Sequence, residues 1–184
     1  GDQYDVLDRF YQAAKANHAD IVVRVTADCP LIDPTVVDET ISLLLNDQLD
    51  FAANRLPPPW KRTFPIGLDV EVCTVPALER AWKEATAPHD REHVMPYLYE
   101  EPGRFKVGIH DADEDFGSAR WTVDTPQDLI MMRELFSLLP NPVHASWTEV
   151  MQIWQMHPLL QRMNARVTHK KFDEVDDRFK ETNG

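Results

Sequence analysis

Ile21-Val-Val-Arg-Val-Thr-Ala-Asp-Cys-Pro-Leu-Ile-Asp33 is the stretch that decides the fold. Its apolar beginning predicts a buried strand that runs directly into Asp28. Asp33-Pro34 then predicts the start of a helix, because Asp is a favoured N-cap and Pro suits the first helical position. In open α/β sheets the ligand crevice lies outside the carboxyl ends of the strands, so Asp28 is a candidate ligand for a metal that holds a phosphorylated substrate.

A second carboxylate takes an equivalent place later in the chain. Apolar and polar residues alternate across positions 120–124, which predicts a strand that ends at Asp124. The following Thr125-Pro-Gln-Asp128 predicts a capping box and therefore the start of a helix. Asp28 and Asp124 are thus the candidate pair of metal-ligating carboxylates.

Composition limits the classes of partner. The chain has 184 residues, 43% of them hydrophobic, and a net charge of −12, which fits one globular domain that repels nucleic acid and anionic membranes. No apolar stretch approaches the roughly 20 residues of a membrane span. The two cysteines, Cys29 and Cys73, lie far apart and indicate reduced thiols rather than a zinc or disulfide framework. We therefore expect a cytoplasmic protein without nucleic-acid or membrane partners.

Helical and strand-like stretches alternate along the chain, which predicts a three-layer α/β/α domain with a mainly parallel, Rossmann-like sheet. We expect a helix over 90–99 with a kink at Pro96, and an exposed proline-rich loop over 55–65. The alternation across 68–73 predicts a strand with one apolar and one acidic face. The domain is expected to cover 1–166, with a helical extension at 146–166, and the polar segment 167–184 is expected to be disordered.

Five stretches of this chain recur in one family. They are Asp5-Val-Leu-Asp-Arg9, Arg24-Val-Thr-Ala-Asp-Cys-Pro-Leu-Ile-Asp33, Thr63-Phe-Pro-Ile-Gly-Leu-Asp-Val-Glu-Val72, Arg91-Glu-His93 and Arg120-Trp-Thr-Val-Asp-Thr-Pro-Gln-Asp-Leu129. In this order they resemble the SpsF-type spore-coat polysaccharide cytidylyltransferases, which are relatives of the acylneuraminate and KDO cytidylyltransferases. The resemblance implies a nucleotide-diphospho-sugar transferase fold and a Mg²⁺-dependent activation of an acidic sugar by CTP. Relatives often form dimers, so it also allows a homodimer.

The resemblance also implies roles for individual residues. Asp28 and Asp124 would be catalytic Mg²⁺ ligands. Substrate contacts would come from Arg24, Asp69, Glu71, Arg91, Glu92, His93 and Arg120. Other interpretations stay open. Asp28 can cap a turn, and Asp124 can simply precede a helix N-terminus, where acidic residues are favourable. Arg24 can form an internal salt bridge, the acidic strand face can simply be solvated, and the charged residues at 91–93 can belong to an ordinary helix start.

One family element is not found in these 184 residues. The family begins with a glycine- and basic-rich loop that cradles the triphosphate. Gly1 to Asp5 align after the family's first two strand–helix units. We therefore expect the chain to be the C-terminal part of a longer enzyme, either as a fragment or as a version of the family fold that has been cut down, and to be weakly active or inactive alone.

Two other functions compete with this one. A glycosyltransferase of related architecture would use Asp111-x-Asp113 or Asp113-x-Asp115 as its metal motif. A non-catalytic domain that binds a sugar, a nucleotide or a partner chain would explain the missing phosphate loop. The acidic stretch 111–117 is not a calcium loop, because glycine falls at its seventh position and Thr122 stands where a bidentate glutamate is needed.

Overall fold

A computed structural model describes residues 2–57 and 60–167. Strands are interspersed with helices along this part of the chain, which confirms the α/β class. In chain order they are α1 (Val6–Ala16), β1 (Ile21–Arg24), α2 (Pro34–Asn46), β2 (Phe51–Ala53), β3 (Glu71–Thr74), α3 (Val75–Glu84), α4 (Pro88–His93), α5 (Pro96–Tyr99), β4 (Val107–Ile109), α6 (Pro126–Leu138), α7 (Trp147–Met156) and α8 (Pro158–Met163).

The four strands form one sheet in the order β1-β3-β2-β4. β2 pairs parallel with β4, whereas β3 pairs antiparallel with both β1 and β2. Strands β1, β2 and β4 therefore run in one direction, as predicted, but the reversal of β3 makes two of the three pairings antiparallel. The expectation of mainly parallel pairing was wrong on this point, because the segment between β2 and β3 has no described helix to carry the chain back across the sheet.

Successive residues of the strands point to opposite faces of the sheet and into two separate cores. Val72 and Ala52 lie in the core formed with α2, α6, α7 and α8, whereas Cys73 and Phe51 lie in the core formed with α1, α3 and α5. The sheet is thus covered by helices on both faces, which is the predicted three-layer arrangement. Among the described residues, no helix has the length and apolar character that crossing a membrane requires.

Several helices begin at the capping residues that the sequence predicted. Asp33 caps α2 by accepting from Thr35 N at 2.7 Å. Thr125 and Asp128 form the predicted capping box of α6. A second capping box at Ser146 opens α7, and α8 follows directly, so the segment 146–166 is mostly helical.

Three other local expectations were wrong, and a fourth, for the C-terminal tail, stays a prediction. Residues 120–124 form no strand, and their sheet-like contact is a single bridge from Arg120 to Ile66. The predicted helix over 90–99 is two helices, because Val94 adopts φ 74° and breaks the backbone before Pro96, which instead begins α5. In the loop 55–65, Phe64 is 2% exposed and packs in the core. The predicted disordered tail lies, from residue 168 onward, outside the described residues.

Candidate functional site

A cavity of about 150 Å³ opens beyond the carboxyl end of β1, where the sequence placed Asp28. Its wall combines the end of β1, the loop that follows it and the segment that enters β3. Four of its residues were named from the sequence: Arg24, Asp28, Asp69 and Glu71. The lining is completed by Thr26, Cys29, Arg55, Ile66, Val70 and Thr122.

The Asp28 carboxylate is held by hydrogen bonds in its ionised form. The Thr122 hydroxyl lies 3.1 Å from both Oδ2 and the carbonyl oxygen of Asp28, and Val123 N donates to that carbonyl at 2.9 Å. Burial would raise the pKa of Asp28, but hydrogen bonds from Thr26, its own backbone N–H and Thr122 outweigh burial and hold the pKa below its usual range. Asp28 is therefore ionised at neutral pH, which suits an oxygen ligand for a cation better than a general base.

Asp124 lies on the segment that is hydrogen-bonded to Asp28. Its side chain is 44% exposed, and Oδ2 accepts from Arg120 Nη2 at 2.6 Å. The Arg120 side chain is only 7% exposed and also donates to both oxygens of the fully buried Asp128, at 2.9 and 3.0 Å. Arg120 thus lies behind Asp124 and is held by two carboxylates. Neither Arg120 nor Asp124 is among the described residues that line the cavity, and their roles in substrate and metal binding stay predictions.

Two sets of ion-paired side chains line the wall of the cavity. Arg24 and Glu71 are cross-strand partners of β1 and β3, and their side chains form a salt bridge. Asp69 accepts from Arg62 Nη2 at 3.1 Å and lies 3.6 Å from Arg55 Nε. Burial would lower the pKa of Arg55, but Asp69 and Glu71 outweigh burial and raise it. The internal salt bridge of Arg24 therefore exists, and the same arginine faces the cavity.

Asn54 and Gly67 bring the segment 66–70 against the sheet. The Asn54 amide donates to Leu68 O at 2.7 Å and accepts from Val70 N at 2.9 Å, which replaces two ladder hydrogen bonds before β3 begins. Gly67 has φ +104°, and a Cβ there would lie 2.6 Å from Thr122 N. This close backbone approach requires glycine and places Asp69 and Thr122 in the same wall.

Arg91, Glu92 and His93 are brought to a different place. They lie on α4, and none of them is among the described residues that line the cavity. Arg91 donates to Asp5 Oδ2 at 2.6 Å and to Trp82 O at 2.7 Å, so it ties α4 to α1 and α3. Their role in substrate binding stays a prediction.

Sequence reasoning missed the cavity residues Arg55 and Thr122 as site candidates. Arg55 follows β2 by two residues, so the rule that ligands bind beyond strand ends would have found it. Thr122 carried no such signal, because its contact with Asp28 joins residues 94 positions apart.

The donor set fits Mg²⁺, the ion that the resemblance implies. Mg²⁺ takes oxygen ligands, commonly one or two carboxylates together with water and substrate phosphate. Asp28 supplies an ionised carboxylate in the cavity, and Asp124 supplies a partly exposed one on the neighbouring segment. Cys29 would not compete, because burial raises the pKa of its thiol to about 11.

The aspartates of the alternative D-x-D motif lie elsewhere. Asp111 and Asp113 line a second cavity of about 390 Å³ together with His110 and Trp147. The exposed Asp115 forms an ion pair with Lys61 at 2.6 Å. Trp154 is buried in the core, and the half-buried Trp147 packs against it.

Comparisons with known proteins agree with this fold. The sequence model of the family described as "Cytidylyltransferase" matches residues 1–176. "Uncharacterized protein MJ1063" of Methanocaldococcus jannaschii is 34% identical over 182 residues, which cover 96% of this chain and 70% of that protein. "Spore coat polysaccharide biosynthesis protein SpsF" of Bacillus subtilis is 24% identical over 161 residues, 86% of this chain and 64% of that protein.

A solved structure shares the fold. The "Cytidylyltransferase from Leptospira borgpetersenii serovar Hardjo-bovis" superposes with a TM-score of 0.82 at 30% sequence identity, over 92% of this chain and 69% of that one. The chain thus spans between 64% and 70% of the length of these three relatives. The match of the family model over nearly all of the sequence shows that the chain belongs to the cytidylyltransferase family.

Proposed function

We propose that this chain belongs to an enzyme that transfers the cytidylyl group of CTP to an acidic sugar and that this enzyme depends on Mg²⁺. The product, a CMP-sugar, would be used for the synthesis of surface polysaccharide. Membership of the cytidylyltransferase family supports the nucleotide and the type of transfer. The observation that carries the proposal is Asp28, which is kept ionised beyond the end of β1 and is hydrogen-bonded to the segment of Asp124.

In the proposed reaction, a sugar hydroxyl oxygen forms a bond to the α-phosphorus of CTP. The bond from that phosphorus to the oxygen that bridges to the β-phosphate breaks, pyrophosphate leaves, and the hydroxyl proton passes to water. Asp28 and Asp124 would hold Mg²⁺, which when bound neutralises phosphate charge. Arg120 keeps Asp124 in place through its anchorage on Asp128. The low pKa of Asp28 suits it to the role of ligand rather than proton acceptor.

The charged wall of the cavity suits an acidic sugar. The side chains of Arg24 and Arg55 are 22% and 25% exposed, and both line the cavity. A guanidinium group can bind a carboxylate through two parallel hydrogen bonds, so either arginine could contact the carboxylate of the sugar. Asp69 and Glu71 line the same wall and can accept hydrogen bonds from sugar hydroxyls. The four side chains together thus offer both polarities that a carboxylated sugar needs.

The direct test is calorimetric titration of the purified chain with CTP, with and without Mg²⁺. We expect Mg²⁺-dependent binding that weakens by at least about tenfold, or ~1.4 kcal/mol, in Asp28→Asn and in Asp124→Asn. Asp113→Asn is the matched control, because it removes the same charge from an exposed aspartate outside the Asp28 cavity. Binding that needs no Mg²⁺, or that survives Asp28→Asn, would refute the assigned site.

The same control separates the competing functions. If Asp113→Asn and not Asp28→Asn abolished metal-dependent nucleotide binding, the glycosyltransferase interpretation would replace ours. The other alternative is a non-catalytic domain that binds a sugar, a nucleotide or a partner chain. Metal-dependent CTP binding without any release of pyrophosphate, across a panel of acidic sugars, would support that alternative.

A further inference from the structure

A histidine and two carboxylates meet where α4 is followed by α5, away from the Asp28 cavity. His89 Nε2 lies 2.8 Å from Glu100 Oε1 and 3.7 Å from Asp90 Oδ1. One ligand atom from each of the three side chains lies within 4.8 Å of the other two. Nothing in the sequence indicated this cluster, because Glu100 is ten or more positions from its partners and follows a helix break.

The Asp90 carboxylate is the unusual member of the cluster. Asp90 is 5% exposed, and its Oδ1 has no hydrogen-bond partner among the described residues. A buried carboxylate oxygen without a donor is costly, and native structures rarely keep one without an explanation. Burial, followed by the charge of Glu100, also raises the pKa of Asp90 above its usual range.

The neighbouring cations do not supply the missing partner. Arg91 donates to Asp5 Oδ2 at 2.6 Å and to Trp82 O at 2.7 Å. Arg104 forms an ion pair with Glu101 and donates to Tyr97 O at 3.0 Å. Both guanidinium groups are therefore engaged elsewhere, and the unpartnered oxygen of Asp90 is left facing the imidazole of His89.

We propose that His89, Asp90 and Glu100 form a binding site for a divalent transition metal, for which Zn²⁺ is the best match. Zn²⁺ binds imidazole nitrogen and carboxylate oxygen at about 2.0–2.2 Å, so its tetrahedral ligands lie about 3.4 Å from one another. The observed separations of 2.8 and 3.7 Å lie on either side of that value. Mg²⁺ and Ca²⁺ fit less well, because both prefer all-oxygen ligand sets.

The metal would act as a clamp on the α4–α5 junction. A neutral imidazole and two carboxylates carry two negative charges, which Zn²⁺ balances, and it also gives Asp90 Oδ1 its partner. The backbone between the ligands turns sharply at Val94, with φ 74°. The motif Arg91-Glu92-His93 lies inside the clamped segment, so metal binding would hold it in position. This inference does not depend on the proposed cytidylyl transfer.

The test uses the full 184-residue chain after treatment with a chelator, titrated with Zn²⁺ by calorimetry. We expect one tight equivalent of Zn²⁺ and at least about tenfold weaker binding in Asp90→Asn and in Glu100→Gln. Glu101→Gln is the matched control. It removes the same charge from the residue next to Glu100, and the Glu101 carboxylate lies outside the cluster. Its Zn²⁺ affinity should equal that of the wild type.

Co²⁺ as a spectroscopic probe excludes the other candidate ligands. Tetrahedral Co²⁺ should give visible bands without the intense thiolate absorption that binding to Cys29 or Cys73 would produce. Zn²⁺ should also raise the melting temperature of the wild type and of Glu101→Gln, and not that of Glu100→Gln. If Asp90→Asn fails to fold, by circular dichroism, Glu100→Gln carries the comparison alone. The absence of a tight equivalent in the wild type, thiolate bands, or wild-type affinity in Glu100→Gln would overturn the proposal.

Discussion

Asp128→Asn should lower the free energy of unfolding more than Asp124→Asn, which removes the same charge from a nearby carboxylate. Asp128 is fully buried and accepts hydrogen bonds from Nε and Nη2 of Arg120, from Asn164 Nδ2, from the backbone N–H groups of Asp124 and Thr125, and from the Thr125 hydroxyl. Asp128 thereby connects Arg120, which contacts Asp124, to the start of α6 and to the end of α8.

The expected cost follows from what the substitution leaves behind. The new amide side chain would be nearly isosteric with the carboxylate, but it would present an N–H group to donors and leave the buried Arg120 without its main counter-charge. Breaking a buried ion pair by removing one partner costs about 3–5 kcal/mol. Asp124→Asn removes the other carboxylate of Arg120, which is 44% exposed, and should cost only ~0–1 kcal/mol.

Urea unfolding of the two variants and the wild type at about pH 7 measures both costs. The pH dependence gives a second check. Burial would raise the pKa of Asp128, but the hydrogen bonds from Arg120, Asn164 and Thr125 outweigh it and hold the pKa far below its usual range. Its stabilisation is therefore complete above the unfolded pKa of about 3.9 and is lost as the pH falls through the folded pKa.

The wild type should consequently lose more stability in strong acid than Asp128→Asn does. Equal costs for Asp128→Asn and Asp124→Asn would refute the reasoning, since they would mean that Arg120 gains as little from the buried partner as from the exposed one.

Two further predictions concern the surroundings of the cavities. Gly67→Ala should lower the free energy of unfolding by more than the about 1–3 kcal/mol of left-handed backbone strain, because its Cβ would also lie 2.6 Å from Thr122 N. Gly103→Ala is the control for strain alone, because Gly103 has φ +84° and open space around it. Equal urea midpoints for the two variants would contradict the clash. Burial lowers the pKa of His110, against the opposing charges of Glu39 and Asp111. The unfolded chain then binds more protons, so stability should fall as the pH drops below about 6.5 through the folded pKa. His110→Phe should show a smaller loss of unfolding free energy between about pH 7 and about pH 5, and an unchanged slope would contradict a neutral, half-buried imidazole.

Much of the candidate site was predictable because it depends on local sequence. The step from the apolar strand β1 to Asp28 and then to the Asp33 cap is a matter of periodicity and of hydrogen bonds between residues a few positions apart. The capping boxes at Thr125 and Ser146 are equally local. The placement of Asp28 in a cavity followed from its position beyond the end of a predicted strand.

The sequence by itself thus determined the α/β class, the order of most helices and strands, and the position of Asp28 beyond a strand. Only the tertiary structure decided the reversal of β3, the salt bridge between Arg24 and Glu71 at 47 positions' separation, and the meeting of Asp90 with Glu100. The physical reason is the range of the interactions. Helix caps and apolar periodicity act within one or two turns, whereas strand pairing, buried ion pairs and close backbone approaches such as that at Gly67 join residues that only the folded chain brings together.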